Sequence, residues 1–113
     1  MLGTIVLGAS GALTALGDTL FPASSLAEGF QRDFSPTAHF LIRLRVFHPT
    51  IAVIVGTYLI ILAGLIRIQV QQPVTQRIAR FLTLGVLLQL GAGMVNLLLL
   101  APVWMQIVHL LLA

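Results

Sequence analysis

Long apolar stretches alternate with short polar ones along the whole chain. Apolar side chains dominate residues 1–16, 40–67, 79–101 and 103–113. Two of these stretches contain uncharged runs long enough for a membrane crossing, which takes about 20 residues. The pattern predicts an all-α membrane protein in which four antiparallel transmembrane helices form one bundle and one domain over residues 1–113.

The two terminal stretches are shorter than the central ones. Residues 103–113 supply only about half of the roughly 20 apolar residues that a crossing needs. The first stretch begins without flanking charge. We therefore expect both terminal spans to be truncated and the chain to be part of a longer polytopic protein.

Two polar segments connect the predicted helices. Residues 17–36 hold all three acids, and a short helix lying on the bilayer surface is expected near residues 23–31. Ser35 followed by Pro36 predicts the N-cap and first residue of the next helix. The connection 67–80 has three arginines and no acid, so the positive-inside rule predicts that this loop is cytoplasmic.

Composition supports the assignment to the membrane. The 113 residues are 58% hydrophobic and 8% charged, whereas soluble domains carry about 25% charged residues. All six basic residues are arginines that flank apolar stretches. The net charge of +3 therefore indicates anchoring among membrane lipids rather than binding to nucleic acid. The chain has no cysteine, which excludes disulfides and thiolate metal sites.

Two histidines lie inside apolar stretches. A titratable imidazole at hydrocarbon depth is costly, so it marks a candidate functional site. With a rise of about 1.5 Å per residue, His48 lies about 5 Å below Arg45, and His109 lies about 10 Å beyond Pro102. Arg45 and Pro102 are expected at the same membrane face. The two imidazoles would then lie at similar depth and share one ligand across the bundle.

Haem is the ligand that best suits such a pair. Two imidazoles without thiolate or carboxylate partners make a poor zinc or copper site, whereas haem iron needs only two axial ligands. The alternative is that His48 and His109 each hydrogen-bond a neighbour or reach toward the interface. Gln89 and Asn96 lie on one face of their helix and are expected to form interhelical hydrogen bonds rather than cofactor contacts.

Two arginines near His48 are candidate partners for the haem propionates. Arg45 precedes His48 by three residues and shares its helix face, so its guanidinium could pair with a propionate at the membrane surface. Arg43 is a second candidate, and an ordinary interfacial arginine is an equal interpretation there. We expect loss of Arg45 to lower haem retention more than loss of Arg43. His39 could be a second propionate partner, but the solvated interpretation is favoured.

Three segments of the chain resemble the C-terminal half of haem A synthase. They are SGALTALGDTLFPA at residues 10–23, HFLIRLRVFHPTIAV at 39–53 and LGAGMVNLLLLAPVWMQIVHLLLA at 90–113. The resemblance covers nearly the whole chain. It implies one four-helix half of an eight-span tandem repeat, located in a bacterial cell membrane.

The resemblance also implies an activity. Haem A synthases oxidise the C8 methyl group of haem O to a formyl group, which yields haem A for terminal oxidases. Their C-terminal half carries haem b between two histidines, which match His48 and His109 here. The N-terminal half, outside this chain, holds the haem O substrate. The chain alone is then the cofactor half, which transfers electrons from an unidentified donor, and it could form a homo-oligomer.

Two other interpretations stay open. The chain could be a non-catalytic membrane cytochrome b that uses the same pair of histidines to pass electrons to a quinone or a partner subunit. It could also be a haem-free helical fragment in which the histidines are structural.

Overall fold

The computed structural model describes residues 2–113, which form five α-helices and contain no strand. The helices are α1 (Leu2–Leu20), α2 (Leu26–Asp33), α3 (Phe40–Gln69), α4 (Pro73–Leu98) and α5 (Val103–Leu112). The all-helical prediction is confirmed. The first predicted span begins at Met1, which lies outside the described residues.

The surface of the helices is apolar. Both α3 and α4 are long and apolar enough to cross a membrane, and large side chains such as Ile54 and Leu88 are more than 60% exposed. Within residues 2–113 the buried apolar side chains are small in number: Ile42, Ala63, Ala79 and Met105. Such a surface suits a protein whose solvent is lipid, in which helices associate by close packing.

Neighbouring helices approach closely at small residues. The main contacts are α1 with α3, α3 with α4, α4 with α5, and α2 with α3. A Cβ atom on Gly17 of α1 would lie 2.9 Å from the Leu41 carbonyl oxygen of α3. A Cβ atom on Gly56 of α3 would lie 3.1 Å from Leu90 Cδ1 of α4. In space, α3 thus lies between α1 and α4, and α5 packs on α4. A closed bundle of four helices stays a prediction.

The polar connection before α4 is shorter than expected. Helix α4 begins at Pro73, not near residue 79, and only residues 70–72 lie between α3 and α4. Proline is well suited to the first turn, where its missing N–H costs no hydrogen bond. The Gln76 amide donates to the carbonyls of Arg67 at 2.6 Å and Val70 at 2.9 Å. These bonds satisfy carbonyls that the end of α3 leaves free.

The prediction that Ser35 and Pro36 start a helix is wrong. The Ser35 hydroxyl instead forms a local turn with Thr37, with the two hydroxyls 3.0 Å apart and the Thr37 N–H donating at 3.4 Å. Helix α3 begins at Phe40, and His39 is its N-cap. His39 Nδ1 accepts a hydrogen bond from the Leu41 N–H at 3.3 Å.

The turn between α4 and α5 contains two residues with left-handed backbone. Leu100 has φ 63° and Ala101 has φ 53°, and neither is glycine. The Ala101 N–H donates to the Asn96 carbonyl at 2.8 Å, and the Gln106 amide donates to the Ala101 carbonyl at 2.6 Å. These bonds hold the turn that brings α5 back along α4.

Candidate cofactor site

The structure brings His48 of α3 and His109 of α5 together. The centroids of the two imidazole rings are 6.5 Å apart, and the ring planes are inclined by 81°. Both side chains are half-buried. The predicted pair is thus close enough in space for both rings to contact one small group between them.

Each ring lies against a glycine of a neighbouring helix. A Cβ atom on Gly11 of α1 would lie 2.9 Å from His48 Cε1, and one on Gly93 of α4 would lie 3.1 Å from His109 Cε1. Both distances are shorter than the contact of about 3.5 Å that two carbon atoms normally keep. Both rings therefore occupy space that any side chain at these two positions would fill.

His48 is held through its Nδ1 atom. Ser10 Oγ of α1 lies 3.1 Å from His48 Nδ1, and the same hydroxyl donates to the Leu7 carbonyl at 2.9 Å. Ser10 and Gly11 are adjacent in sequence, so one short segment of α1 supplies both the hydrogen-bond partner and the space for this ring.

His109 is held mainly through its backbone. The Gln89 amide nitrogen donates to the His109 carbonyl at 3.1 Å and lies 3.5 Å from its Nε2, at the long limit of a hydrogen bond. Gln89 therefore does form the interhelical bond expected of it. His109 Nδ1, Gln89 Oε1 and Asn96 Oδ1 are buried without a hydrogen-bond partner among residues 2–113. Buried polar atoms of this kind normally have a partner.

The donor set fits a metal that is held by two imidazoles. No cluster of three or more His, Cys, Asp or Glu side chains in residues 2–113 has the arrangement to hold a metal ion. Imidazole nitrogens bind a metal at about 2.0–2.1 Å. Two rings whose centroids lie 6.5 Å apart would leave room for one metal ion held by both histidines.

Arg45 is engaged by α1 and α2. Its guanidinium donates to the carbonyls of Gly17 at 2.8 Å and Phe21 at 2.6 Å. Its Nε lies 2.7 Å from Asp18 Oδ1 without good hydrogen-bond alignment, and its Nη1 lies 3.8 Å from Asp33 Oδ1, so both contacts are ion pairs. The side chain is only 9% exposed. A propionate would have to compete with these acceptors for Arg45, so its predicted role stays a prediction.

The carboxylates around Arg45 are partly desolvated. Burial raises the pKa of the Asp33 carboxyl above its ordinary value, and the nearby Arg45 guanidinium lowers it by less. Arg43, by contrast, is exposed and lines a shallow groove of about 260 Å³. The groove is formed by Ala38, Phe40, Arg43, Leu44 and Phe47. Of the two arginines, Arg43 therefore has the more accessible guanidinium.

Sequence reasoning missed the residues that hold the two histidines. Ser10, Gly11 and Gly93 carry no chemical signal of their own and lie among many small residues. The available signal is that Ser10 carries one of the few hydroxyl groups in an apolar stretch. His39 is exposed, as expected, and its ring centroid lies 5.0 Å from that of Phe21.

Comparison with known proteins identifies the family. The COX15-CtaA family, described as cytochrome oxidase assembly protein, matches residues 1–113. The chain belongs to this family. The match covers the whole chain and confirms the resemblance to haem A synthases that the sequence segments indicate.

Two curated relatives of the chain come from two strains of Thermus thermophilus. Each is called protoheme IX farnesyltransferase and is 50% identical over 113 residues. The alignment covers 100% of this chain and 19% of each relative, so the chain spans about a fifth of their length. No solved structure matches the chain.

Proposed function

We propose that this chain binds a b-type haem between His48 and His109 and supports the oxidation of haem O to haem A in cytochrome oxidase assembly. The observation that carries the proposal is the pair of neighbouring imidazoles, whose ring centroids are 6.5 Å apart and each of which lies against a glycine. Membership of a cytochrome oxidase assembly family supports it. The relatives act, by their name, on a haem.

The residues of the chain would have distinct parts in this function. A haem held by both histidines would supply one-electron transfer rather than a binding site for substrate. His48 and His109 would hold the group, and Gly11 and Gly93 would leave room for their rings. We therefore assign electron transfer to this chain. The oxidation of haem O would take place in the half of the protein that lies outside the chain.

Multiple membrane crossings are part of the same proposal. Helices α3 and α4 have the length and apolarity to cross, and α1 and α5 would complete a four-helix bundle around the haem. The connection at residues 70–72 and its neighbouring Arg67, Arg77 and Arg80 would then lie on the cytoplasmic side of a bacterial membrane.

Prenyl transfer, the activity in the relatives' name, is a poorer assignment for this chain. Transfer from a prenyl diphosphate needs carboxylates that hold Mg²⁺ against the diphosphate. The three acids of the chain are already paired: Glu28 with Arg32 at 2.6 Å, and Asp18 and Asp33 with Arg45. We infer that prenyl transfer belongs to the part of the relatives outside the matched 19%.

The test is an absorption spectrum of the detergent-purified chain, oxidised and dithionite-reduced, after equilibration with haem. The wild type is expected to show the sharp reduced bands of six-coordinate low-spin haem b. His48→Ala and His109→Ala should each lose this spectrum, because either change opens an axial position.

The matched control is His39→Ala, since His39 is the remaining histidine and is exposed at the start of α3. It should keep the wild-type spectrum. A wild-type chain that stays colourless with haem would refute haem binding. Single His48 and His109 variants with an unshifted low-spin spectrum would refute the assignment of the ligands.

A further inference from the structure

The hydrogen bonds around Ser10 determine which nitrogen of His48 carries its proton. A serine hydroxyl has one proton to donate and lone pairs that accept. The Ser10 hydroxyl donates its proton to the Leu7 carbonyl at 2.9 Å, the shorter of its two contacts. Its oxygen must then accept from His48 Nδ1 at 3.1 Å. The two hydrogen bonds form a relay, in which the His48 ring donates to Ser10 and Ser10 donates to the backbone of α1.

The Ser10 hydroxyl oxygen can only accept from the ring once its proton is donated to the Leu7 carbonyl. This direction fixes the tautomer of His48. A neutral imidazole that donates from Nδ1 has its lone pair on Nε2.

We propose that Ser10 is a positioning residue that fixes His48 in the tautomer with the proton on Nδ1 and the lone pair on Nε2. This inference rests on the proposed ligation of a haem by His48. In metal sites, a hydrogen bond from the second ring nitrogen fixes the ring's orientation and makes the ligating nitrogen more basic. Ser10 thereby prepares Nε2 for the metal before any metal binds.

The two histidines differ in this respect. His109 Nδ1 is buried and has no partner within residues 2–113, and Gln89 holds the residue through its carbonyl. The structure therefore predicts a relay at one ligand only, on the α1 side. Substitution of Ser10 should affect His48 and leave the tautomer of His109 unchanged.

The first test is made on the haem-free chain by ¹⁵N NMR of its histidine rings. The chain has three histidines, so the signals of His48 can be assigned by their absence from His48→Ala. In the wild type, His48 should show a protonated Nδ1 and an unprotonated Nε2. Ser10→Ala should move its population toward the other tautomer, and Ser10→Thr, which keeps the hydroxyl, should restore it.

The second test uses the haem-loaded chain. Loss of a hydrogen bond to a metal-ligating histidine costs about 10–100-fold in metal affinity, so Ser10→Ala should bind haem at least 10-fold more weakly. Its reduction potential should shift in the positive direction, because a less basic ligand stabilises the oxidised iron less. Ser10→Thr should behave as the wild type.

The control is Thr83→Ala in α4. The Thr83 hydroxyl donates to the Ala79 carbonyl at 2.9 Å and is part-buried, so it resembles Ser10 in its bond to its own helix. This variant should change neither tautomer nor potential. A wild-type His48 protonated on Nε2, or a Ser10→Ala variant with unchanged tautomer and potential, would overturn the proposal for Ser10. A wild type that binds no haem would instead overturn the proposed function, and the NMR result would still decide the tautomer.

Discussion

Gly11→Ala tests the site without removing any polar group. The added Cβ would lie 2.9 Å from His48 Cε1 and 3.4 Å from His48 Nδ1. Carbon atoms in favourable contact are about 3.5–4.0 Å apart, so the ring must retreat by about 0.6–1 Å. A shift of this size stretches the 3.1 Å contact with Ser10 and changes the distance to His109. We expect haem affinity to fall about 10-fold or more.

Helix propensity works in the opposite direction, which makes the experiment informative. Alanine is favoured over glycine by about 1 kcal/mol in a helix interior, so α1 itself should be stabilised by Gly11→Ala. The matched control is Gly8→Ala, one turn earlier on α1, where an added Cβ has no atom within 4 Å. It should keep full haem occupancy and unfold at the same or a higher temperature.

The assay is the ratio of haem to protein after titration, measured together with thermal unfolding in detergent. The corresponding pair on α4 is Gly93→Ala, with Cβ 3.1 Å from His109 Cε1, and Gly91→Ala, with nothing within 4 Å. Only the first member of each pair should lose haem. Equal haem occupancy in Gly11→Ala and Gly8→Ala would show that haem binding does not depend on the space that Gly11 leaves for the His48 ring.

Three further predictions concern stability, each measured by thermal unfolding in detergent. Gly17→Ala should destabilise the folded chain by about 1–3 kcal/mol, because its Cβ would lie 2.9 Å from the Leu41 carbonyl oxygen. The control is Gly64→Ala, whose Cβ meets open space; equal stability of the two variants would contradict the close approach of α1 and α3. Leu100→Gly should stabilise by about 1 kcal/mol by relieving the left-handed backbone, and a loss would contradict this strain. The raised pKa of Asp33 means that its stabilising contribution is present below about pH 4 and is lost as pH rises through the folded-state pKa. The stability of Asp33→Asn relative to the wild type should therefore increase as pH rises above about 4, and a difference that does not change with pH would contradict the burial argument.

The position of the histidines could be predicted because it depends on local rules. Helix rise and the bracketing residues Arg45 and Pro102 place His48 and His109 at similar depth, and the structure does bring the two rings together. Long apolar runs likewise predicted the helical fold. These inferences need only the period of the helix and the cost of a polar group in lipid.

The partners of these residues could not be predicted, because they depend on the register between helices distant in sequence. Ser10 contacts His48 across 38 residues, and Gln89 contacts His109 across 20. Any of several small residues on α1 could have faced the ring. The wrong start of α4 has another origin. The polar composition of residues 67–80 predicts a long loop, but Gln76 lies in α4 and its side chain satisfies the free carbonyls at the end of α3.

Arg45 is the predicted propionate partner, and in the structure it also holds helices together. A comparison of haem retention alone therefore does not reveal its role. Its bonds to Gly17 and Phe21 hold the end of α1 against α3, one helical turn from His48. Loss of Arg45 would therefore shift the segment of α1 that seats His48, whether or not the guanidinium meets a propionate. A larger haem loss in Arg45→Leu than in Arg43→Leu is still expected. Either of two causes would suffice: a displaced α1 segment beside His48, or a lost contact between the Arg45 guanidinium and a propionate.

Stability separates these causes. Arg43 is exposed and has no hydrogen bond or ion pair among the described residues, so Arg43→Leu should leave thermal unfolding of the haem-free chain unchanged. If Arg43→Leu nevertheless lowers haem affinity, and the effect weakens with a haem whose propionates are esterified, Arg43 is a propionate partner. Arg45→Leu should destabilise the haem-free chain, because it leaves the partly buried carboxylates of Asp18 and Asp33 without their cation. An Arg45→Leu chain of wild-type stability that loses haem would instead place the propionate at Arg45.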